Sequence, residues 1–228
     1  MKLSGIQKLT LLDFPGKVAC TLFTPGCNFR CPFCHNASLV FSCVRNITEE
    51  EVFSFLKKRT GILDGVCVTG GEPLLQKDIG QFLRQIKDLG FLVKLDTNGA
   101  FPERLQPLLE EQLLDYVAMD IKASRRNYHT AIGLQTVDLD SIERSVDLLK
   151  TCGVDHEFRT TTVKGIHTAK DFEDIAAWLA GEERYYIQQY TPSDDMIGEP
   201  LEQFTKEELE SFASIVRQTV KTVELRGI

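Results

Sequence analysis

Strand-like and helix-like segments alternate along the whole chain, and this alternation constrains the fold more than any other feature. Short apolar runs such as residues 65–69 are typical of buried strands. Each is followed by apolar residues at helical spacing, as at Ile79, Phe82 and Leu83. Strands that alternate with helices of this length predict parallel βαβ units. The predicted strands are residues 17–23, 65–69, 91–95, 116–121, 156–163 and 185–190.

Six such units are too few for a closed barrel of eight strands. We therefore predict an α/β fold, a partial (β/α)6 TIM-like barrel with parallel strands inside and helices outside; a flat, doubly wound sheet is the alternative. A capping box, Thr48 with Glu51, marks the start of the first long helix. The length of 228 residues fits a single domain, 1–228.

The composition is that of a globular protein with an acidic balance. Hydrophobic residues make up 43% and the formal net charge is −7, which argues against nonspecific binding to nucleic acid or to an anionic membrane. No apolar stretch is long enough to span a bilayer, and the N-terminus lacks a signal-peptide pattern. Seven cysteines without an evident disulfide framework favour a reducing compartment. We expect a cytoplasmic protein with neither nucleic-acid nor membrane partners.

Three cysteines, Cys27, Cys31 and Cys34, lie in one short loop with three and then two residues between them. Three thiolates can hold three irons of a 4Fe-4S cluster and leave the fourth iron open to a substrate or cofactor. The alternative is a zinc site that uses Cys31, Cys34 and His35. Structural zinc sites usually draw on a second Cys or His pair, and this sequence supplies none further along.

The other four cysteines are scattered along the chain. Cys20 and Cys67 alternate with, or lie within, apolar residues and are expected to be buried in strands. Cys43 and Cys152 are not expected to bind iron. The predicted ligand set is therefore confined to the loop that follows the first strand.

Polar and glycine-rich residues follow the predicted strands, at the point where each strand ends. Because the carboxyl ends of parallel strands meet at one rim, these residues are expected to converge on an active site. They are Gly70, Gly71 and Glu72 after the second strand, Asp96, Thr97 and Asn98 after the third, Asp120 and Lys122 after the fourth, Arg159 on the fifth and residues 188–191 at the end of the sixth.

The cysteine loop, followed by Gly70-Gly71-Glu72-Pro73 after the second strand, resembles the radical S-adenosylmethionine enzymes. Within that superfamily, residues 12–17, 34–36, 96–99 and 120–122 are similar to the activating enzymes of glycyl-radical enzymes. The greatest similarity is to the activating proteins of anaerobic ribonucleoside-triphosphate reductase, a group that also resembles pyruvate formate-lyase activating enzyme. The resemblance extends over about residues 5 to 190.

The resemblance implies an activity and its partners. A 4Fe-4S cluster reductively cleaves S-adenosylmethionine to a 5′-deoxyadenosyl radical, which abstracts hydrogen from a glycine of a partner enzyme. Anaerobic ribonucleotide reductase is the expected partner, and a flavodoxin or a ferredoxin-type protein is the expected reductant.

The resemblance also implies roles for individual residues. Gly70 and Gly71 let the backbone approach the methionyl end of the cofactor, and the Glu72 region receives its ammonium group. Asp96 and Asp120, with Thr97, hold a monovalent cation beside the cofactor carboxylate. The sequence alone leaves open an alternative in which lysines neutralise this pair of acids.

Further contacts follow from the same resemblance. Asp120 bonds the ribose hydroxyls, and Lys122 pairs with the cofactor carboxylate. The remaining cofactor-binding residues are His35 and Asn36 beside the cluster and the adenine, Asn98 in the third strand exit, and Arg159 and Thr161 on the fifth strand. Asp13 and Lys17 resemble a segment near the substrate peptide. This chain has residues 189–191 (Gln-Tyr-Thr) where the related activator has a histidine contact.

Two other functions remain open at this level. The first is a radical S-adenosylmethionine enzyme that acts on a small molecule, similar to 7-carboxy-7-deazaguanine synthase. The second is a noncatalytic iron–sulfur electron carrier.

Overall fold

A computed structural model describes residues 1–41 and 47–228 of the chain, and in these ranges the chain forms an eight-stranded sheet whose spatial order follows the order of the sequence. The strands are β1 Gly5–Thr10, β2 Ala19–Thr24, β3 Gly65–Gly70, β4 Leu92–Thr97, β5 Tyr116–Asp120, β6 Asp155–Thr162, β7 Arg184–Gln189 and β8 Thr222–Arg226.

The sheet is an open, mostly parallel barrel wall. Strands β2 to β8 pair in parallel, whereas β1 runs antiparallel to β2 with Gly5 opposite Phe23. Within the described ranges β1 and β8 are the two edges. The predicted partial barrel is confirmed, and its six predicted strands correspond to β2 to β7. Strands β1 and β8 were not predicted from the sequence.

Helices connect the parallel strands and cover the outer face of the sheet. They are α1 Ala37–Val40, α2 Glu49–Lys57, α3 Ile79–Asp88, α4 Pro102–Glu110, α5 Tyr128–Ile132, α6 Leu139–Thr151, α7 Ala169–Trp178 and α8 Lys206–Val216. The predicted capping box at the start of α2 is present, because Thr48 and Glu51 each accept the other's backbone N–H. Cys43 lies outside the described residues. In the described part of the chain no helix is both long and apolar enough to cross a membrane.

Strand alternation separates an apolar outer face from a polar inner face. In β4, Val93 and Leu95 belong to the hydrophobic core, whereas Lys94 is buried beside Asp96 on the other face. In β6, Phe158 is in the core, whereas Arg159 lines the inner cavity. The barrel interior therefore carries charge, and the helices pack on the opposite side of the sheet.

The amino end of the barrel is closed by the loop between β1 and β2. Phe14 is buried against Ala19 and lies 6.1 Å, centroid to centroid, from the ring of Tyr116. Deeper in the interior, Glu157 is 1% exposed and binds Arg226 of β8 at 2.7 Å. These contacts leave the carboxyl end of the strands as the accessible end of the interior.

Candidate active site

A cavity of about 330 Å³ lies at the carboxyl ends of the strands, a size at the lower end of the range for small-molecule sites. All but one of the residues predicted to bind the cluster or the cofactor line it. These are Cys27, Cys31, Cys34, His35, Asn36, Gly70, Gly71, Asp96, Thr97, Asn98, Asp120, Lys122, Arg159 and Thr161. The exception is Glu72.

The cysteine loop presents its three thiols to this cavity and is anchored in the core by aromatic side chains. Phe29, between the first two cysteines, is 5% exposed, and Phe33, between the last two, is 4% exposed. Burial of these rings fixes both halves of the loop. Burial raises the pKa of the Cys27 thiol to about 11 and that of the Cys31 thiol to about 12. These thiols hold their protons until a metal displaces them.

The thiols are free, as a metal centre requires. Each cysteine in residues 1–41 and 47–228 is unbridged. In the same ranges, no three His, Cys, Asp or Glu side chains converge on one point as ligands of a single ion do. A cubane binds each thiolate at a different iron, so its ligands are spread more widely.

Main-chain hydrogen bonds fix the position of the cysteine loop. The Gly26 carbonyl accepts from Glu72 N at 2.8 Å, and Gly26 N donates to the carbonyl of Leu39 at 2.8 Å. Arg30 N donates to the carbonyl of Ile132 at 2.8 Å. The loop is therefore attached to the β3 exit, to α1 and to α5, and its sulfur atoms are carried on a rigid frame.

Gly70 and Gly71 are required by contacts within the protein. A Cβ on Gly70 would stand 2.4 Å from the backbone of Thr24, and a Cβ on Gly71 would stand 2.0 Å from the carbonyl oxygen of Gly26. The sequence prediction assigned the close approach at these glycines to the cofactor. The structure instead shows the β3 exit packed directly on the chain that leads into Cys27, while both glycines also line the cavity.

Glu72 lies behind the cavity wall and ties two strand exits together. Its carboxylate is fully buried and accepts from Leu74 N at 3.0 Å, Thr97 Oγ1 at 2.9 Å and Asn98 N at 2.7 Å. Burial raises the pKa of Glu72 to about 7, although these hydrogen bonds act in the opposite direction. The carboxylate thus ties the exit of β3 to the exit of β4.

Asn98 transmits this arrangement to the cysteine loop. Its side-chain amide donates to Asn28 Oδ1 at 2.8 Å and lies 3.8 Å from Cys27 Sγ. Glu72 fixes the backbone of Asn98, and the Asn98 side chain fixes the start of the cysteine loop at Cys27 and Asn28. The β3 exit, the β4 exit and the cysteine loop therefore form one connected unit.

A network of ion pairs forms the floor of the cavity at the ends of β4, β5 and β6, and its members are partly buried except for Lys94, which is fully buried. Arg159 Nε lies 2.6 Å from Asp120 Oδ1, and Arg159 Nη2 lies 3.3 Å from Asp96 Oδ2. Lys122 Nζ lies 2.7 Å from Asp120 Oδ2, and the Lys94 ammonium contacts the carboxylate of Asp96. Three cations thus face two carboxylates.

The charges of this network keep both acids ionised. Burial alone would raise the pKa of Asp96, but the charges of Arg159 and Lys94 outweigh it and hold the pKa below its ordinary value. At Asp120, burial is likewise outweighed by Arg159 and Lys122, and the pKa is lowered strongly. The floor therefore carries a surplus positive charge that can receive an anionic group.

The structure adds residues that the sequence analysis did not identify. Lys94 lies beneath Asp96 and was hidden inside a predicted apolar strand. Gln7 of β1 and Thr21 of β2 reach the cavity from the open edge of the sheet. A polar residue between two apolar neighbours in a buried strand was the available signal for Lys94 and Thr21. Strand β1 gave no such signal, because its side chains are mostly exposed or half-buried.

The remaining predicted positions are divided between the two ends of the barrel. Gln188 of β7 lines the cavity, whereas the side-chain amide of Gln189 donates to the carbonyl of Phe204 at 2.6 Å. Asp13 reaches the cavity and accepts from Thr21 Oγ1 at 2.5 Å. Lys17 lines a separate cleft at the amino end, beside Phe14.

The sequence comparisons agree with this geometry. The profile of the Radical SAM superfamily matches residues 21–179. A protein of Methanocaldococcus jannaschii named as a glycyl-radical enzyme activating enzyme is 35% identical over 99% of this chain and 95% of its own length. The pyruvate formate-lyase-activating enzyme of Staphylococcus aureus is 30% identical over 56% of this chain and 55% of its own.

Solved structures show the same fold. Streptococcus suis SuiB bound to precursor peptide SuiA superposes with a TM-score of 0.70 at 14% identity, covering 91% of this chain and 48% of that one.

This chain belongs to the radical S-adenosylmethionine superfamily, in the group of the glycyl-radical enzyme activating enzymes. Its cofactors are accordingly a 4Fe-4S cluster and S-adenosylmethionine. The three free thiols and the positively charged floor fit these two groups, since one needs sulfur ligands and the other carries a carboxylate.

The contact between Gly71 and Gly26 predicts a specific sensitivity. In Gly71→Ala the new methyl group meets backbone, so the cysteine loop must shift. We expect iron content after anaerobic reconstitution to fall well below wild type, and the free energy of unfolding to fall by about 1–3 kcal/mol.

The matched control is Gly80→Ala in α3, where a Cβ would stand 3.4 Å from a Leu108 methyl group. Alanine favours a helix by up to about 1 kcal/mol over glycine, so this variant should retain its iron and its stability. Iron loading of Gly71→Ala equal to that of Gly80→Ala would contradict the packing argument.

Removal of the Glu72 carboxylate should be costly, because three buried donors lose their acceptor. Glu72→Ala is expected to lower the free energy of unfolding by about 3 kcal/mol, measured by urea denaturation of the apoprotein. The exposed Glu50→Ala should change it by about 0.5 kcal/mol or less.

The effect of Glu72 on stability should also depend on pH. The native protein keeps the Glu72 proton up to about pH 7, whereas the unfolded chain loses it near the ordinary value of 4.5. Between these values the native state binds more protons, so the stability contributed by this group falls as pH rises. The difference between wild type and Glu72→Ala should therefore be larger at the low end of this window. A difference that grows with pH would contradict the assignment.

Proposed function

We propose that this protein activates a glycyl-radical enzyme by forming the radical on a backbone glycine of that partner, and that the partner is anaerobic ribonucleoside-triphosphate reductase. The observation that carries the proposal is the convergence of three free thiols and a positively charged floor in one cavity. A reduced cluster held by Cys27, Cys31 and Cys34 would supply the one electron that splits S-adenosylmethionine into methionine and a 5′-deoxyadenosyl radical, and that radical would take hydrogen from the glycine Cα to give 5′-deoxyadenosine.

Cys27, Cys31 and Cys34 are the proposed ligands of the cluster. Supporting this, all three line the cavity, and Phe29 and Phe33 line it beside them. The apolar rings limit the access of water to the cluster. Exposure to solvent is one of the factors that set the reduction potential of an iron–sulfur cluster. The frame of main-chain bonds around Gly26 keeps the ligands in place during electron transfer.

Lys122 and Arg159 are proposed to receive the carboxylate of S-adenosylmethionine. Both line the cavity and both are already oriented by Asp120. A guanidinium held in this way binds a carboxylate without a large loss of side-chain entropy. His35 and Asn36, which follow the last cysteine and also line the cavity, are proposed to contact the adenine.

The open edge of the barrel is proposed to admit the glycine-containing segment of the partner. Gln7, Asp13 and Thr21 bring polar groups to this side of the cavity. Amide and carboxylate groups of this kind can bind the main chain of an extended peptide. A flavodoxin or a ferredoxin-type protein is the proposed electron donor.

The choice of partner rests on similarity along the chain. The relative that matches nearly the full length carries the name of a glycyl-radical enzyme activating enzyme. The narrower assignment to ribonucleotide reductase rests wholly on family resemblance, and several activating enzymes share the segments 12–17, 34–36, 96–99 and 120–122. Two other functions make different predictions. A small-molecule enzyme similar to 7-carboxy-7-deazaguanine synthase needs no protein substrate, and an electron carrier forms no 5′-deoxyadenosine.

Replacement of one proposed ligand tests the cluster assignment. Cys31→Ala should reduce 5′-deoxyadenosine formation by about a hundredfold or more, because loss of even an outer-sphere partner of a metal costs about 10–100-fold. Cys152, which contacts the Leu149 carbonyl at the end of α6, is the matched control. Cys152→Ala should bind iron and cleave S-adenosylmethionine as the wild type does. Full cleavage activity of Cys31→Ala would overturn the ligand set.

Reaction with candidate partners tests the substrate. The reduced protein is mixed with S-adenosylmethionine and either anaerobic ribonucleotide reductase or pyruvate formate-lyase, and electron paramagnetic resonance records any glycyl radical. We expect the signal with the reductase and its loss when the partner's radical glycine is replaced by alanine. A signal with the lyase alone would correct the partner. Cleavage stimulated by a small pterin, without a radical on either protein, would favour the small-molecule enzyme.

A further inference from the structure

Lys94 is a buried lysine beneath the floor of the active-site cavity. It is 2% exposed, and its ammonium contacts the carboxylate of Asp96. The same nitrogen lies 3.9 Å from Cys67 Sγ and 6.0 Å from the ring centroid of Tyr116. Lys94 does not line the cavity, so its effect on a bound molecule must pass through Asp96.

Burial of an ammonium group is expensive unless a negative charge compensates it. A leucine or methionine would fill this position of β4 without that cost, as Val93 and Leu95 do on the other face. The compensation for Lys94 comes from Asp96, which also pairs with Arg159. The arrangement indicates that the positive charge itself is the useful property of the side chain.

A monovalent metal ion bound to Asp96 would supply the same charge at the same carboxylate. Here Lys94, Arg159 and Lys122 already place three positive charges on Asp96 and Asp120. A further cation on these carboxylates would meet a group with surplus positive charge and would be repelled. The alternative of lysine-neutralised acids, which the sequence left open, is therefore the one that the geometry favours.

We propose that Lys94 is a positioning residue whose ammonium replaces a bound monovalent cation beneath the cofactor carboxylate, so that S-adenosylmethionine binds independently of sodium and potassium. The proposal rests on the assignment of the cavity to S-adenosylmethionine made above. Lys94 orients Asp96, Asp96 orients Arg159, and Arg159 is thereby presented to the carboxylate together with Lys122.

The test compares potassium chloride, sodium chloride and choline chloride at equal ionic strength. For the wild-type holoenzyme the KM for S-adenosylmethionine should agree in all three salts within about twofold, a difference of less than about 0.5 kcal/mol. The unfolding midpoint of the wild-type apoprotein should also be the same in all three. A wild-type enzyme that cleaves S-adenosylmethionine but requires potassium or sodium would overturn the proposal. A protein that cleaves no S-adenosylmethionine in any salt would instead overturn the proposed function.

Lys94→Met removes the charge and keeps an apolar chain of similar length. Its KM in choline should rise about tenfold, the loss expected when one partner of a charged hydrogen-bonded pair is removed. Potassium should restore part of this loss, and potassium should also raise the unfolding midpoint of the variant apoprotein, because an ion that binds only the folded state stabilises it. Lys94→Arg, which keeps the charge, should remain independent of the salt.

The matched control is the exposed Lys57→Met in α2, which should behave as wild type in every salt. A Lys94→Met enzyme whose KM in choline equals that of the wild type would contradict the role of Lys94. If this variant fails to fold, the response of the wild-type enzyme to the three salts still decides the question.

Discussion

The close packing of two loop backbones determines the geometry of the entire site. Gly71 meets the carbonyl of Gly26 at a distance that excludes any side chain, and Glu72 N donates to the same carbonyl. This contact places the start of the cysteine loop directly on the β3 exit. The Glu72 carboxylate also accepts hydrogen bonds from Thr97 and Asn98 at the end of β4. One stretch of chain therefore fixes both the cysteine loop and the exit of β4. A displacement at Gly71 would therefore reach both the cysteine loop and the exit of β4.

The second constraint is electrostatic. Parallel strands with an apolar outer face and a polar inner face concentrate three cations, Lys94, Lys122 and Arg159, and two acids, Asp96 and Asp120, in a small volume. Charges in such a position are stable only when each has a partner, so the network is self-consistent and rigid. Its surplus of one positive charge suits a ligand with a carboxylate. The ion pairs thus stabilise charges inside the barrel, and their surplus charge also favours a ligand that carries a carboxylate.

The sequence predicted those features that depend on local pattern. The strands β2 to β7, the capping box at Thr48 and the cysteine loop each have a signature within a few neighbouring residues, and each was located within two residues or better. Parallel topology then brought the strand exits to one rim, so that the cavity residues could be predicted without knowledge of any distance. The features that depend on partners distant in sequence were not predictable in this way.

Three examples show why. Gly71 was assigned to the cofactor because the sequence does not reveal that the Gly26 carbonyl occupies that space. Glu72 was placed with the ligand, whereas its three donors lie at Leu74 and in the next strand exit. Strand β8 is a short segment of mixed polarity, and its inclusion in the sheet depends on pairing with β7 and on the ion pair of Arg226 with Glu157.

The most direct test of the central claim is the electron paramagnetic resonance spectrum of the reduced, reconstituted protein, recorded with and without S-adenosylmethionine. A cluster held by Cys27, Cys31 and Cys34 has an iron that binds the added molecule, so the spectrum should change and 5′-deoxyadenosine should form. An unchanged spectrum, or bound zinc in place of iron, would contradict the account.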